Sequence, residues 1–276
     1  MRIARPALLA AFLSSGLLAQ GAAAATLLAP HRAVYDLALD QASDRSGITG
    51  LSGRMVYEFN GSPCEGYTVK FRFVTRIDTR EVSRLTDQQT TTFEDGQGRS
   101  FDFVTKSFVD QNPDREVKGS ARLGAEGLEV KLDKPEAASL DLEKTQFPTQ
   151  HLMELIAKAE KGETFYETSL FDGSEDADRV MTTTVVIGKK EPAERSDPEL
   201  PAMPTLAKET FWPVDIAYFD LSKGDASGEE TPEYRISFKL HENGVTRDLI
   251  MDYGDFSMTG KLVNLSLFDP PAACPN

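Results

Sequence analysis

Alternation between apolar and polar residues is the pattern that most constrains the fold of this chain. It is clearest at residues 67–73, where Tyr67, Val69, Phe71 and Phe73 alternate with polar side chains. A period of two places successive side chains on opposite faces of an extended chain, so the pattern predicts half-buried β-strands. Similar runs lie at residues 35–40, 54–59, 101–103 and 234–240, and a run rich in β-branched residues lies at 182–187.

The turns between these runs indicate how the strands are joined. Residues 241–244, His-Glu-Asn-Gly, separate the run at 234–240 from a return strand at 245–251. Asn-Gly between two alternating runs is a strong hairpin pattern. Residues 95–98 and 253–255 predict further turns. We therefore predict a mainly β protein with an antiparallel barrel, sandwich or curled sheet.

One segment departs from the alternation. Between residues 149 and 161 the apolar residues repeat at helical spacing, and Thr149 is a candidate N-terminal cap. Lys158 lies in the last predicted turn and Gly162 follows it, as is typical of a helix C-terminus. The apolar stripe of this helix either packs against the sheet or plugs the mouth of a barrel, and the sequence leaves both open.

The N-terminus predicts export from the cytoplasm. Arg2 and Arg5 precede an apolar stretch at residues 7–18, and the alanines at 22–25 offer A-x-A cleavage sites. This is the layout of a secretory signal peptide, although a retained membrane anchor is the alternative. We expect a signal peptide at residues 1–25, a single domain at 26–276, and the periplasm as the compartment.

The two cysteines, Cys64 and Cys274, predict a disulfide. An even pair in an exported protein is most simply explained as a bridge, because the periplasm is oxidising. The two positions enclose nearly the whole mature domain. They do not form the C-x-x-C pattern of redox catalysts, so we expect a structural role, with redox sensing as the alternative.

The charge of the chain argues against a nucleic-acid partner. There are 44 acidic and 30 basic residues, which gives a net charge of −14. Such a surface repels phosphate backbones at long range. Solubility outside the cytoplasm is the simplest explanation of the charge, and an acidic face for a basic partner is the alternative.

No catalytic, metal or cofactor site is predicted. The three histidines, His31, His151 and His241, are far apart in sequence, and we expect them to be surface or capping residues. The acidic segment at 172–178 lacks the spacing of a calcium loop and is expected to be a solvated turn. The run Gly-Leu-Ser-Gly at 50–53 is not a nucleophile elbow and is expected to be a turn between strands.

Aromatic residues give the best indication of a binding function. The chain has 16 Phe and 7 Tyr, many at alternating positions that point to one side of the sheet. A curled sheet of this size can enclose an apolar cavity that side chains do not fill. A fully packed core predicts the same pattern, and the sequence does not distinguish the two. The ligand-binding residues therefore remain unknown at this stage.

Several segments resemble one family, the EipB-type proteins of alphaproteobacteria, which are linked to cell-envelope integrity. The matching segments are PHRAVYDL at 30–37, FPTQH at 147–151, FDGS at 171–174, WPV at 212–214, YF at 218–219, ENGVTRDL at 242–249 and DYGDF at 252–256. An early cysteine and a cysteine near the C-terminus, here Cys64 and Cys274, complete the pattern. The resemblance covers residues 30–274.

The resemblance implies a monomeric periplasmic protein with one or two helices and a spiral, open-barrel-like antiparallel sheet joined by the disulfide. This architecture is similar to that of the lipoprotein carriers LolA and LolB, but a function based on a shared fold is an analogy. The leading hypothesis is a non-enzymatic protein that binds a lipid or a lipoprotein acyl chain. The alternative is a structural protein that supports envelope complexes through its outer surface.

Overall fold

The alternating runs of the sequence form extended strands that hydrogen-bond side by side. The computed structural model describes residues 28–223, 230–270 and 274. The predicted signal peptide at residues 1–25 lies outside the described residues. No helix within them is long and apolar enough to cross a membrane.

The strands, in chain order, are β1 (His31–Ala42), β2 (Ile48–Ser62), β3 (Gly66–Thr79), β4 (Ser83–Glu94), β5 (Ser100–Val109), β6 (Asn112–Leu123), β7 (Leu128–Lys134), β8 (Ala138–Leu142), β9 (Phe165–Leu170), β10 (Met181–Ile187), β11 (Glu191–Pro192), β12 (Thr210–Phe219), β13 (Tyr234–His241), β14 (Thr246–Asp252) and β15 (Phe256–Leu267). The helix α1 is Pro148–Glu160, and short 3-10 turns lie at Leu200–Ala202 and Leu221–Lys223.

All of these strands belong to one sheet. Its order is β8-β7-β6-β5-β4-β3-β2-β1-β15-β14-β13-β12-β10-β9, and β11 pairs with β12 beside this path. All neighbouring strands are antiparallel, and β1 pairs with both β2 and β15, which joins the two halves of the chain. The terminal strands β8 and β9 do not pair with each other in the described part of the chain. The predicted open, mainly antiparallel sheet with a helix is confirmed.

The predicted hairpin and most of the predicted strands are confirmed, but one predicted turn is wrong. Residues 50–53 lie inside β2 and pair with β3. A side chain at Gly53 would meet the carbonyl oxygen of Val74. The glycine therefore permits a close approach of two strands, which is the other common reason for a glycine within an alternating sequence.

The start of α1 differs from the prediction. Phe147 occupies the N-cap position and makes no side-chain cap, while Thr149 lies within the helix. The carboxylate of Glu94, at the end of β4, accepts the backbone N–H groups of Thr149 at 2.7 Å and Gln150 at 3.1 Å. A distant acidic residue thus supplies the cap and the favourable charge at the helix N-terminus. The C-terminal end follows the prediction, with Gly162 at φ 78°.

The helix lies across one end of the sheet. A side chain at Gly98, in the β4–β5 turn, would meet Gln150, and one at Gly244, in the β13–β14 turn, would come within 3.5 Å of Leu152. The strand order places both turns at the same end. Leu155 and Ile156 point into the main core. The apolar stripe of the helix therefore packs against the sheet at this end, which is the first of the two alternatives left open by the sequence.

The inner face, which we define as the face that packs against α1, carries two groups of buried side chains. The larger group combines β1–β3, β10 and β12–β15 with α1. The smaller group lies on β5–β7 and is centred on Phe101 and Phe103, with Phe147 and Phe171 packed over them.

Candidate functional site on the inner face

A surface of half-buried aromatic residues lies on the inner face beside the main core. On β2 and β3 it comprises Tyr57, Phe71 and Phe73, each of which retains an accessible part. Tyr57 is opposite Phe71 in the strand pairing, and the rings of Phe71 and Phe73 stack with centroids 5.8 Å apart. Alternation on adjacent strands therefore brings three rings onto one continuous surface.

A second set of aromatic rings lines the end of the sheet opposite α1. Tyr218 and Tyr234 have ring centroids 5.5 Å apart, and Tyr234 and Tyr253 are 5.0 Å apart. The ring of Phe256 stacks on Tyr253 at 5.0 Å. Tyr218, Tyr234 and Phe256 pack against the same core as Phe71 and Phe73. We call Tyr57, Phe71, Phe73, Tyr218 and Tyr234 together the half-buried aromatic surface.

The tyrosines of this surface are surrounded by protein although they are not fully covered. Burial raises the pKa of Tyr57, Tyr218 and Tyr234 well above the ordinary value for a phenol. Each nevertheless keeps an accessible part of its side chain. The three phenols remain uncharged at neutral pH, so the surface offers apolar ring faces together with a few hydroxyl groups.

The smaller core group also contains alternating phenylalanines on one strand, but its rings are almost completely covered. Phe101 and Phe103 are 1% and 3% exposed, because Phe147 stacks on Phe101 and Phe171 packs edge-to-face against Phe103. Gly173 lies so close to Phe103 that an added side chain would contact the ring at 2.7 Å. These phenylalanines form a closed core and do not belong to the candidate site.

The acidic segment at 172–178 forms a turn whose residues 174–176 and 178 are exposed, as predicted, but Gly173 and Ala177 are buried. Asp176 forms an ion pair with Arg115 of β6, and Ala177 is buried in the smaller core group. The segment therefore folds over β5 and β6 and covers them. Within the described residues, no group of three potential ligands is placed to hold a metal ion.

We predicted surface or capping histidines, and none of the three lies on the surface. His31, His151 and His241 are 3%, 5% and 1% exposed. His31 donates a hydrogen bond to the Ala29 carbonyl, His151 is 3.3 Å from Thr183 Oγ1, and His241 accepts from Arg247. Burial lowers the pKa of all three, to about 4 for His151 and for His241. They are neutral structural residues, and the sequence gives no sign of their burial.

A buried charge cluster, which the sequence analysis missed, fixes the segment after β11 to the sheet. The Arg247 side chain is inaccessible and donates to Asp197 at 2.7 Å and to Glu199 at 3.2 Å. The Glu199 carboxylate also accepts the N–H groups of Leu262 and Asp248, next to the point where the β14–β15 pairing ends. It thereby replaces missing strand hydrogen bonds.

The ionisation of this cluster is consistent with a structural role. Burial raises the pKa of Glu199, whereas for Asp197 the hydrogen bonds from Glu199 and Arg247 outweigh burial and lower its pKa. No part of the Arg247 side chain reaches solvent. We assign it to folding and not to catalysis.

The two cysteines lie together near the end of the sheet that carries α1. Cys64 is in the β2–β3 turn and Cys274 follows β15, and the structure places them at disulfide distance with Cα atoms 5.6 Å apart. The bridge ties β2 and β3 to the C-terminal segment across β1. Both cysteines are exposed, and the bridge contributes no group to the half-buried aromatic surface.

Comparison with known proteins agrees with this architecture. The family model described as EipB-like matches residues 22–269. The cell envelope integrity protein EipB of Brucella abortus (strain 2308) is 59% identical over 252 residues, which is 91% of this chain and 88% of that protein. The crystal structure of a β-barrel-like protein of the domain of unknown function DUF1849 from Brucella abortus superimposes with a TM-score of 0.85 at 59% identity, over 88% of this chain and 99% of that one. The chain therefore belongs to the EipB-like family.

Proposed function

We propose that this protein is a non-enzymatic periplasmic protein that maintains the cell envelope by binding an acyl chain of a lipid or lipoprotein. The observation that carries the proposal is the half-buried aromatic surface on the inner face. Aromatic and aliphatic side chains that remain partly accessible provide the surroundings that a hydrocarbon chain prefers over water.

Three further observations support this role. The helix α1 covers one end of the inner face. At the other end, the contacting rings of Tyr218, Tyr234, Tyr253 and Phe256 offer an apolar surface by which a ligand could enter. The similar protein from Brucella abortus carries the name cell envelope integrity protein. The N-terminal sequence fits export, which would bring the protein to the envelope.

We propose that the protein acts as a monomer without a cofactor and that it does not bind nucleic acid, because its net charge of −14 repels phosphate backbones. The Cys64–Cys274 bridge is proposed to be structural. Residues 26–276 are proposed to act as one domain.

A pair of matched substitutions tests the binding surface. Phe73→Asp places a charge on the inner face, whereas Phe93→Asp makes the same change at an exposed position on β4. The fluorescent apolar probe N-phenyl-1-naphthylamine should bind the wild-type protein and the Phe93 variant alike. We expect its affinity for the Phe73 variant to fall by about tenfold or more, because a carboxylate is costly to bury beside an apolar ligand. Equal binding by both variants would argue against the inner face as the site.

A second candidate function rests on the outer surface. Phe165 on β9 is 60% exposed and lies opposite Val186 on β10, which is 49% exposed. An exposed aromatic and aliphatic pair near the edge of a sheet can contact a partner protein. A photo-crosslinking amino acid at position 165 tests this role in cells. A protein partner recovered there, together with no probe binding to the purified protein, would favour a structural function over ligand binding.

A further inference from the structure

The pairing of β14 with β15 is incomplete. The two strands pair only over residues 249–252 and 257–260. Residues 246 and 247 of β14 pair with β13, and residues 261–267 of β15 pair with β1, but these two stretches do not pair with each other. We call the place where they face each other the seam. Its backbone groups need other partners, because unpaired backbone groups are costly to bury.

Side chains replace the missing strand pairing at the seam. The Oε1 atom of Glu199 accepts the N–H of Asp248 on one side at 3.2 Å and the N–H of Leu262 on the other side at 2.5 Å. The Tyr35 hydroxyl donates to the Thr246 carbonyl at 2.6 Å. Glu199 and Tyr35 are only 2% and 1% exposed. Two buried side chains therefore close the seam in place of continuous backbone pairing.

Glu199 belongs to the segment between β11 and β12, and we call residues 193–209 of this segment the strap. The backbone hydrogen bonds of the strap join residues three apart, as from the Ala202 N–H to the Glu199 carbonyl and from the Glu209 N–H to the Leu206 carbonyl. None of them reaches another element in the part of the chain that the structure describes. The strap can therefore leave the sheet without breaking any strand pairing, which is typical of a unit that opens locally.

The strap is attached to the sheet by side chains alone. Asp197 and Glu199 both accept hydrogen bonds from Arg247, at 2.7 Å and 3.2 Å. Met203 and Leu206 of the strap are buried in the main core. Of the two carboxylates, Glu199 also bridges the two sides of the seam. Loss of its charge should therefore weaken the attachment of the strap more than it weakens the rest of the fold.

The seam leads across the inner face to the half-buried aromatic surface. Strand pairing places Leu262 of β15, Tyr35 of β1, Met55 of β2 and Phe73 of β3 side by side. The first three are buried in the main core, and Phe73 packs against it. With neighbouring strands about 4.8 Å apart, Phe73 lies about 14 Å from Leu262. Release of the strap and movement of Tyr35 would therefore connect solvent to this surface.

We propose that the strap is a gate at the side of the sheet, which opens as a local unit and admits an apolar ligand to the inner face through the seam. Glu199 holds the gate closed. Entry of a ligand rests on the proposed function, whereas opening of the strap is a property of the ligand-free protein. This entrance is separate from the aromatic rings at the end opposite α1.

Thiol labelling measures the opening directly, because the chain has no cysteine outside the Cys64–Cys274 bridge. Met203→Cys places a thiol on the strap at a fully buried position, and the matched control Met251→Cys places one on β14 at a position that is 3% exposed. N-ethylmaleimide should modify the thiol at 203 at least about a hundredfold faster than the thiol at 251, since local opening requires less free energy than unfolding. Low concentrations of urea should accelerate only the reaction at 251, because opening of the strap exposes little surface.

A substitution at Glu199 tests what holds the strap in place. Glu199→Gln keeps the size of the side chain and removes its charge, so labelling at 203 should become about tenfold faster while labelling at 251 changes by less than about twofold. Glu194→Gln removes an exposed charge from the same strap and should change neither rate. Equal acceleration at 203 and 251 by Glu199→Gln would show that Glu199 stabilises the whole protein, and it would overturn the gate.

Stopped-flow fluorescence with N-phenyl-1-naphthylamine tests entry through the seam. Glu199→Gln should raise the association and dissociation rate constants together by about threefold or more and leave Kd within about twofold, because the gate changes the route and not the binding surface.

The outcomes separate the gate from the proposed function. Labelling at 203 that is no faster than at 251 overturns local opening of the strap. Faster labelling with unchanged probe kinetics overturns entry through the seam. A wild-type protein that does not bind the probe overturns the proposed function and, with it, entry of a ligand, whereas opening of the strap is then decided by the labelling rates alone.

Discussion

Two pairs of phenylalanines on the inner face have the same local geometry and different surroundings. Phe71 and Phe73 on β3 stack with centroids 5.8 Å apart, and Phe101 and Phe103 on β5 stack at the same 5.8 Å. The first pair is half-buried, whereas the second is almost completely covered. Alternation on a strand thus fixes which way a ring points but does not determine whether the ring is covered.

The cover comes from segments that are distant in sequence. Phe147 precedes α1, and Phe171 and Gly173 follow β9, yet all three lie against β5. The sheet order explains this, because β8 and β9 are the two terminal strands of the sheet and the segments next to them fold over the inner face of β5–β7.

The largest expected effect is a difference in stability when one ring of each pair is removed. Phe101→Ala should reduce the free energy of unfolding by about 3–5 kcal/mol, because it leaves a cavity in a closed core. Phe71→Ala should reduce the free energy of unfolding by less than about 2 kcal/mol, since the ring is already partly accessible. The same substitution should weaken binding of the apolar probe N-phenyl-1-naphthylamine. Urea denaturation measures both. Equal losses of stability would mean that the two surfaces are packed alike.

The stability of the protein is expected to depend on pH through Glu94, which lies on β4 between the two phenylalanine pairs of β3 and β5. Glu94 pairs across the strands with Phe101 and caps α1, and burial raises its pKa from 4.5 to about 7. The folded protein therefore holds this proton more tightly than the unfolded chain does. The stability that protonation contributes is complete below about pH 4.5 and is lost as the pH rises through 7, a change of about 2–3 kcal/mol.

The variant Glu94→Gln should remove most of this pH dependence between pH 5 and 8. The matched control is Glu58→Gln, on the outer face of β2, which should retain the wild-type slope. Denaturation at a series of pH values gives both slopes. If Glu94→Gln kept the full wild-type slope, the cap would not be the titrating group that links α1 to the sheet.

The smallest expected effect concerns the segment that covers β5. Gly173 has φ 68° and its added Cβ would contact the Phe103 ring, so Gly173→Ala should destabilise the protein by about 2 kcal/mol. Gly162, at the end of α1, has φ 78° with no atom within 4 Å of an added Cβ. Gly162→Ala should cost only about 1 kcal/mol, the backbone contribution alone. Thermal melting of both variants provides the check, and a smaller loss at 173 than at 162 would contradict the close packing of this segment.

Local patterns in the sequence were sufficient to predict most strands and the helix. The alternation at residues 67–73 and the Asn243-Gly244 turn depend on neighbouring residues only, and both predictions are confirmed. The helix begins one residue earlier than predicted. Its cap could not be found in this way, because Glu94 lies more than fifty residues before it and is brought there by the folded sheet.

The functional surface could be predicted only in part, for the same reason. The sequence indicated inward aromatic residues, but whether they are covered depends on Phe147, Phe171 and Ala177, which are distant in sequence from β5. The burial of His151 and the formation of the Arg247–Glu199 ion pair likewise depend on contacts between residues that are distant in sequence. The glycine at position 53 was assigned to a turn because sequence alone does not separate a turn from a close approach of strands.

The most direct test of acyl binding is native mass spectrometry of the protein purified from a periplasm without detergent, followed by lipid extraction of the same sample. Our account predicts a stoichiometric added mass that extracts as an acyl lipid and that is lost in Phe73→Asp but kept in Phe93→Asp. A wild-type protein that carries only the mass of the disulfide-bonded chain, and that also fails to take up added 1-palmitoylglycerol, would contradict it.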